Sequence, residues 1–249
     1  MSEHIKVSSS HGVMTIVIAR PEKKNALTAA MYDAMIAALD AAEADTAIGA
    51  VLFHGEGGAF TAGNDIADFL ATTKDINDFG GLRFVRRLAA FDKPMVAAVE
   101  GVAIGVGTTM LFHCDLVYAA PSAQFRMPFI DLALVPEAGA SLLVPRRVGM
   151  ARACELLLLA EAFDAARAHD MGILNEIVAA DKLLAHAHDK ARKLAEKPRE
   201  AVLATRRMMR GDTAEILARI DEEAREFGKR MVSDEARRVF MAFMSKPKK

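Results

Sequence analysis

The sequence predicts an α/β protein whose parallel strands are buried on both faces. Three observations point there. Short apolar runs rich in β-branched residues alternate with helical stretches over the first 120 residues. Those runs are continuously apolar, as strands covered on both sides require, and glycine-rich loops follow two of them. From about residue 181 onward the pattern changes to successive amphipathic helices with no strand candidate.

Taken in order, "VMTIVIAR" (13–20) ends at Pro21 and reads as a strand. Thr28 is the expected N-cap of the next helix, where Met31, Met35, Ile36 and Leu39 recur at helical spacing. "AVLFHG" (50–55) is a short buried strand, and "GEGGAFTAGNDI" (55–66) is a loop. A helix is expected over 79–90. After it come the strand "PMVAAVEG", a glycine turn, a helix ending near Cys114, and the strand "DLVYAA". Pro198 and Gly211 punctuate the C-terminal helices. Their apolar faces need a partner, either the main domain or another subunit. The tail "SKPKK" reads as a solvated end.

A chain of 249 residues with 52% hydrophobic and 26% charged residues can bury a substantial core. The 32 Lys and Arg balance 33 Asp and Glu, which gives no argument for nucleic acid or an anionic membrane as partner. Basic stretches such as "TRRMMR" read as solvated helix faces, with no interleaved aromatics to stack bases. The histidines lack metal-ligand spacing, so no metal is expected. Cys114 and Cys154 are expected to be buried free thiols, suited to a reducing compartment. The apolar stretch 94–112 contains Glu100 and three glycines, which suits a strand, a turn and a helix better than a bilayer. The N-terminus has no signal-peptide pattern and the end "KPKK" no peroxisomal tripeptide, so a cytoplasmic location is expected.

Two loops and one acid carry the candidate chemistry. The loop 55–66 is neither a Walker nor a Rossmann fingerprint, but its glycines let peptide N–H groups face a ligand. "EGVAIGVGTTM" (100–110) takes a strand through glycines into a helix start, where free N–H groups favour an anion. Together the loops suit two N–H donors converging on one developing oxyanion. The acid is Glu137, in "QFRMPFIDLALVPEAGAS" (124–141). Two readings stand open. Glu137 is a first-turn helical acid complementing the dipole, or a general base whose apolar neighbours raise its pKa.

Several of these segments, in this order, resemble the motifs of the crotonase (enoyl-CoA hydratase/isomerase) superfamily. They are "RPEKKNALTAAM", "GGAFTAGNDIADF", the long stretch from "KPMVAAVEG" to "PEAGAS", and "DAARAHDMGILNEIV". The resemblance implies a crotonase-like spiral of ββα repeats over 1–190, holding an acyl-CoA site. It also implies a helical trimerisation region over 191–249, giving a homotrimer or a dimer of trimers. The ligand would be an acyl-CoA thioester, with coenzyme A carried by the substrate and no separate cofactor. By position, the oxyanion donors would be the N–H groups of Asn64 and Val106. The adenine-ribose end would lie near Lys24, Ala26, Ala62, Asp65 and Ile66.

The departures sharpen the expectation. Hydratases of this family use two glutamates, and this chain has Thr109 and Phe129 at those positions. "AGND", "GVAIGVG" and "PFIDLALVPEAG" instead resemble the Δ3-Δ2-enoyl-CoA isomerases of the peroxisomal type. In that branch the glutamate matching Glu137 is the base. The expected activity is therefore the shift of a 3-enoyl-CoA double bond to the 2-position, as in fatty-acid β-oxidation. Phe129 and Leu132 are expected to wall the acyl pocket. The alternatives are an enoyl-CoA hydratase, a hydrolase or other crotonase-type enzyme, or a non-catalytic acyl-CoA-binding member.

Overall fold

The computed structural model describes residues 2–67, 76 and 79–244, with side chains to residue 242. The tail 245–249 lies outside the described residues. Strands β1 (Ile5–Ser10) and β2 (Val13–Ile18) form an antiparallel hairpin. The sequence reading missed β1, because its "SSS" end is polar and five of its six residues are exposed. Helix α1 (Ala29–Ala44) follows, and Thr28 caps it by accepting from the Met31 N–H. Then come β3 (Ala50–Gly55), α2 (Gly80–Ala90), β4 (Met95–Val99), β5 (Val102–Ile104) and the one-turn helix α3 (Val106–Thr109). A 3-10 turn, Met110–His113, extends α3 to Cys114. The second half holds β6 (Leu116–Ala119), β7 (Gln124–Arg126), α4 (Ala140–Val148), α5 (Met150–Cys154), β8 (Phe163–Asp164), α6 (Ala165–Asp170) and β9 (Glu176–Ile177). Helices α7 (Ala180–Ala195), α8 (Arg199–Arg210), α9 (Thr213–Met231) and α10 (Asp234–Met244) complete it.

The larger sheet has the order β1-β2-β3-β4-β6-β9, with every pair after the first hairpin parallel. The smaller sheet is β5-β7-β8. The pairs β4/β5 and β6/β7 thus each send their first strand to one sheet and their second to the other. A short helix or 3-10 turn follows each pair, which is the ββα unit of the spiral. As expected, the large sheet is covered on both faces. Val13, Leu52, Val96 and Tyr118 pack against Leu183, Ala187 and Ala191 of α7. Ile16, Phe53, Ala97 and Val117 face the main core with α1 and α2.

Helix α7 runs through the expected boundary at residue 190 to Ala195. Helix α9 contributes Ile216, Ile220, Ala224 and Phe227 to the main core. Two surface readings are corrected. Cys154 is exposed, whereas Cys114 is buried and its thiol is pushed up to about 12 by desolvation. Arg206, within the basic stretch of α8, is buried; it pairs with Asp115 at 2.8 Å and donates to the Phe91 carbonyl at 2.6 Å. No helix among the described residues is long and apolar enough to cross a membrane.

Candidate active site

The two glycine loops lie side by side. Thr61 and Ala103 form a parallel bridge, and a side chain on Gly63 would meet the Ile104 carbonyl oxygen at 2.7 Å. Only glycine permits that approach. The neighbouring amides are spoken for: Leu27 donates to the Gly63 carbonyl (2.8 Å), and Asp65 donates to the Leu27 carbonyl (2.9 Å). The Asn64 N–H between them has no acceptor among the described residues. Tyr32 fixes the Asn64 side chain by donating its hydroxyl to Oδ1.

On the second loop, Gly105 takes φ 57°, ψ −120°, a conformation open to glycine alone. Its own N–H goes to the Arg126 carbonyl at 2.8 Å, and its carbonyl accepts from Thr108 and Thr109. Val106, the first residue of α3, has no acceptor for its N–H among the described residues, as a helix start dictates.

Asn64 and Val106 line two cavities. The outer cleft, about 640 Å³, also has Ala62, Ile66, Phe129, Leu132 and Phe240 in its walls. The inner cavity is about 20 Å³, room for about one water, and there Glu137 joins Asn64 and Val106 with Tyr32, Phe79 and Phe227. The expected pocket walls Phe129 and Leu132 therefore stand in the outer cleft, apart from Glu137. Lys24 and Ala26 lie on the adjoining loop. Ala62 donates to the Lys24 carbonyl (2.9 Å), and Arg20 ties the Ala26 carbonyl to the Asp65 carboxylate. A cavity of about 720 Å³ elsewhere, between α4, α7 and α8, has Asp115 as the only acid among its described walls, and that acid is paired with Arg206.

Glu137 is not a first-turn helical residue. Helix α4 begins at Ala140, after two left-handed residues, Ala138 (φ 61°) and Gly139 (φ 71°). Thr109 of α3 donates its hydroxyl to the Glu137 Oε1 at 2.5 Å. Burial pushes the Glu137 carboxyl up to about 8; the Thr109 hydrogen bond opposes this, and the Glu223 charge adds to it. Two further residues hold the turn. The buried His113 ring donates from Nε2 to the Ala138 carbonyl (2.8 Å). Since Nε2 carries that proton, Nδ1 accepts from Arg210 (3.4 Å) in the neutral ring. Burial, followed by the Arg210 charge, brings His113 down to about 4. Glu223 on α9 accepts from the N–H groups of Gly139 (2.7 Å) and Ser141 (2.8 Å). The helix-end role therefore falls to Glu223, which the sequence reading missed. Its signal was a charge on the otherwise apolar stripe Ile216–Ile220–Ala224–Phe227.

Among the described residues, the site thus offers two N–H groups without acceptors and one carboxyl of raised pKa around shared walls. That suits proton transfer next to a carbonyl whose oxygen gains charge. The family model for enoyl-CoA hydratase/isomerase matches residues 8–249. Enoyl-CoA delta isomerase 2 of Rattus norvegicus is 32% identical over 255 residues, spanning 99% of this chain and 65% of that protein. A probable enoyl-CoA hydratase of Rhizobium meliloti (strain 1021) is 34% identical over 251 residues, 99% of this chain and 96% of that one. The crystal structure of an enoyl-CoA hydratase/isomerase from Pseudoalteromonas atlantica T6c matches with a TM-score of 0.93 at 37% identity, covering 99% of this chain and 98% of that one. With the two-sheet spiral and the paired loops, these matches place the chain in the enoyl-CoA hydratase/isomerase family, the crotonase superfamily.

Proposed function

We propose that the protein is an enoyl-CoA isomerase that converts a 3-enoyl-CoA into the conjugated 2-enoyl-CoA. The observation that carries this reading is Glu137, the one carboxyl among the described walls of the cavity it shares with the Asn64 and Val106 amides. The positions at which family hydratases are expected to carry glutamates hold Thr109 and Phe129 instead. Hydration needs acid and base groups to activate water and deliver a proton, whereas a double-bond shift needs one group that takes a proton and returns it.

In this mechanism the thioester oxygen accepts from the N–H groups of Asn64 and Val106 at the junction of the two cavities. The ionised Glu137 removes a C2 proton, and the electron pair delocalises into a dienolate with its charge on the thioester oxygen. Preorganised donors are most valuable there, each worth on the order of 3 kcal/mol. Glu137 then returns the proton at C4, and the double bond settles between C2 and C3. Phe129 and Leu132 would contact the bound thioester in the outer cleft. Lys24, Ala26, Ala62, Asp65 and Ile66 would line the adenine-ribose end. The exposed Met208 (77%) and Met209 (82%) of α8 support subunit association, as a homotrimer or dimer of trimers.

The test is to follow conjugated-thioester absorbance with a medium-chain 3-enoyl-CoA. Wild type should produce a rise. Glu137→Gln should bind the thioester yet lose roughly 10³-fold or more in kcat. An unchanged rate in that variant removes Glu137 from the role. Hydration of a 2-enoyl-CoA, or release of free CoA, would favour the hydratase or hydrolase reading.

A further inference from the structure

We propose that Glu223, on α9, is a positioning residue for Glu137: it clamps the 138–141 turn from which the base projects and moves no proton itself. The proposal rests on the reading of Glu137 as the base, but its first readout does not depend on activity.

The geometry assigns the role. Residues 138 and 139 are both left-handed, so the chain reverses sharply between Glu137 and α4. Such a turn leaves the amides at the start of α4 without intrahelical acceptors. Glu223 takes two of them, one on each oxygen: Gly139 on Oε2 at 2.7 Å and Ser141 on Oε1 at 2.8 Å. The side chain is 6% exposed and sits among Ile216, Ile220, Ala224 and Phe227. A buried acid on an apolar helix face is costly to keep unless its oxygens are satisfied. Here they are satisfied by the backbone that carries the base.

The same geometry argues against a second acid/base. Both Glu223 oxygens are engaged by amides, and Glu223 is absent from the described walls of the inner cavity, where Glu137 is present. Among the described residues, the charged and titratable groups that bond the turn, or that stand directly behind those that do, are few. Glu223 and Arg219 come from α9, and Arg219 donates to the Ser141 hydroxyl at 3.4 Å. His113 comes from the 3-10 turn after α3, and Arg210 stands behind it on α8. Thr109 reaches the carboxyl itself. Glu222, also on α9, pairs with Arg219 at 3.2 Å. Among the described residues Glu223 is the acid that itself bonds the turn, and its charge adds to the burial that raises Glu137.

The experiment uses the full chain with carboxyl-¹³C glutamate. The titration of Glu137 is assigned by its loss in Glu137→Gln and compared in wild type, Glu223→Gln and Glu223→Asp. Glutamine keeps the size of Glu223 but offers one acceptor oxygen instead of two. The Glu137 midpoint should fall in Glu223→Gln. With a 3-enoyl-CoA, kcat should drop roughly 10- to 100-fold with KM nearly unchanged, the size expected for a lost charged hydrogen bond. Glu223→Asp should recover part of both. In wild type, the Gly139 and Ser141 amides should be among the slowest to exchange outside helix interiors, a readout that needs no variant. Fast exchange at both amides would overturn the clamp. So would an unchanged midpoint and kcat in Glu223→Gln, or a kcat as low as that of Glu137→Gln with an unmoved midpoint. A shifted midpoint in a protein that isomerises nothing would leave the clamp standing and overturn only the isomerase reading.

Discussion

Thr109 donates its hydroxyl to Glu137 Oε1 over 2.5 Å, from the helix position at which family hydratases are expected to carry a glutamate. A group that does not ionise at neutral pH thus stands where a second carboxylate would, and it orients the remaining one. Thr109→Val should keep the shape of the site and remove this bond. Since the bond holds the Glu137 pKa down, the variant's base should ionise at higher pH than in wild type. At pH 7 kcat/KM should fall about tenfold, given the strength of hydrogen bonds to charged groups, with part of the loss recovered at pH 9. A pH–rate profile of the two proteins checks both the size and the direction.

Wild-type activity should rise with pH towards a midpoint near the Glu137 value of about 8. The sign follows from the role: a base works only when ionised, and below its pKa it is protonated. The kcat/KM profile on a 3-enoyl-CoA reads this midpoint for the free enzyme. An acid limb near 4.5 would mean that the working carboxylate is not desolvated.

Gly105 stands at φ 57°, ψ −120° with open space where a side chain would go. Gly105→Ala therefore meets no clash but forces alanine into a region it resists, at a cost of about 1–3 kcal/mol. The chain should relieve that strain by rotating the Val106 amide. The expected outcome is a modest loss of melting temperature with a loss of kcat of roughly 10²-fold, the scale of one missing oxyanion donor. Calorimetry and steady-state kinetics on the same sample separate the two effects.

His113 should make the fold acid-sensitive. Its pKa is depressed to about 4 in the folded chain, while an unfolded histidine titrates near 6.5. Between those values the unfolded state binds more protons, so stability is fully present above pH 6.5 and is lost as pH falls towards 4. The loss amounts to about 3 kcal/mol by linkage. Urea unfolding of wild type and His113→Gln at pH 7, 5.5 and 4.5 should show a flatter pH dependence in the variant.

Much of the frame was legible in the chain because burial on both faces leaves a plain signature. The run 50–55 is β3, Thr28 caps α1, and the helix expected over 79–90 is α2. The hairpin strand β1 was not legible, since its exposed serines carry neither apolar alternation nor branching. The small sheet was also missed: β5 and β7 have three residues each and β8 two, too short to show a period. At the site, the loops and Glu137 could be singled out by glycine spacing and by an acid in an apolar run. Its supports could not. Thr109, His113 and Glu223 reach the turn from 28, 25 and 84 positions away. No local pattern reports such contacts, although a charge on the core face of α9 was a trace of one.

The 84-residue separation between Glu223 and Gly139 also orders events during synthesis. When a ribosome has delivered the sheet, both glycine loops and Glu137 itself, the Gly139 and Ser141 amides still lack the acceptors that fix the turn. Those acceptors arrive only with α9, more than 80 residues later in the chain. The nascent chain can therefore assemble its scaffold early while the acid stays unset, and the working arrangement arises only once α9 has emerged and docked.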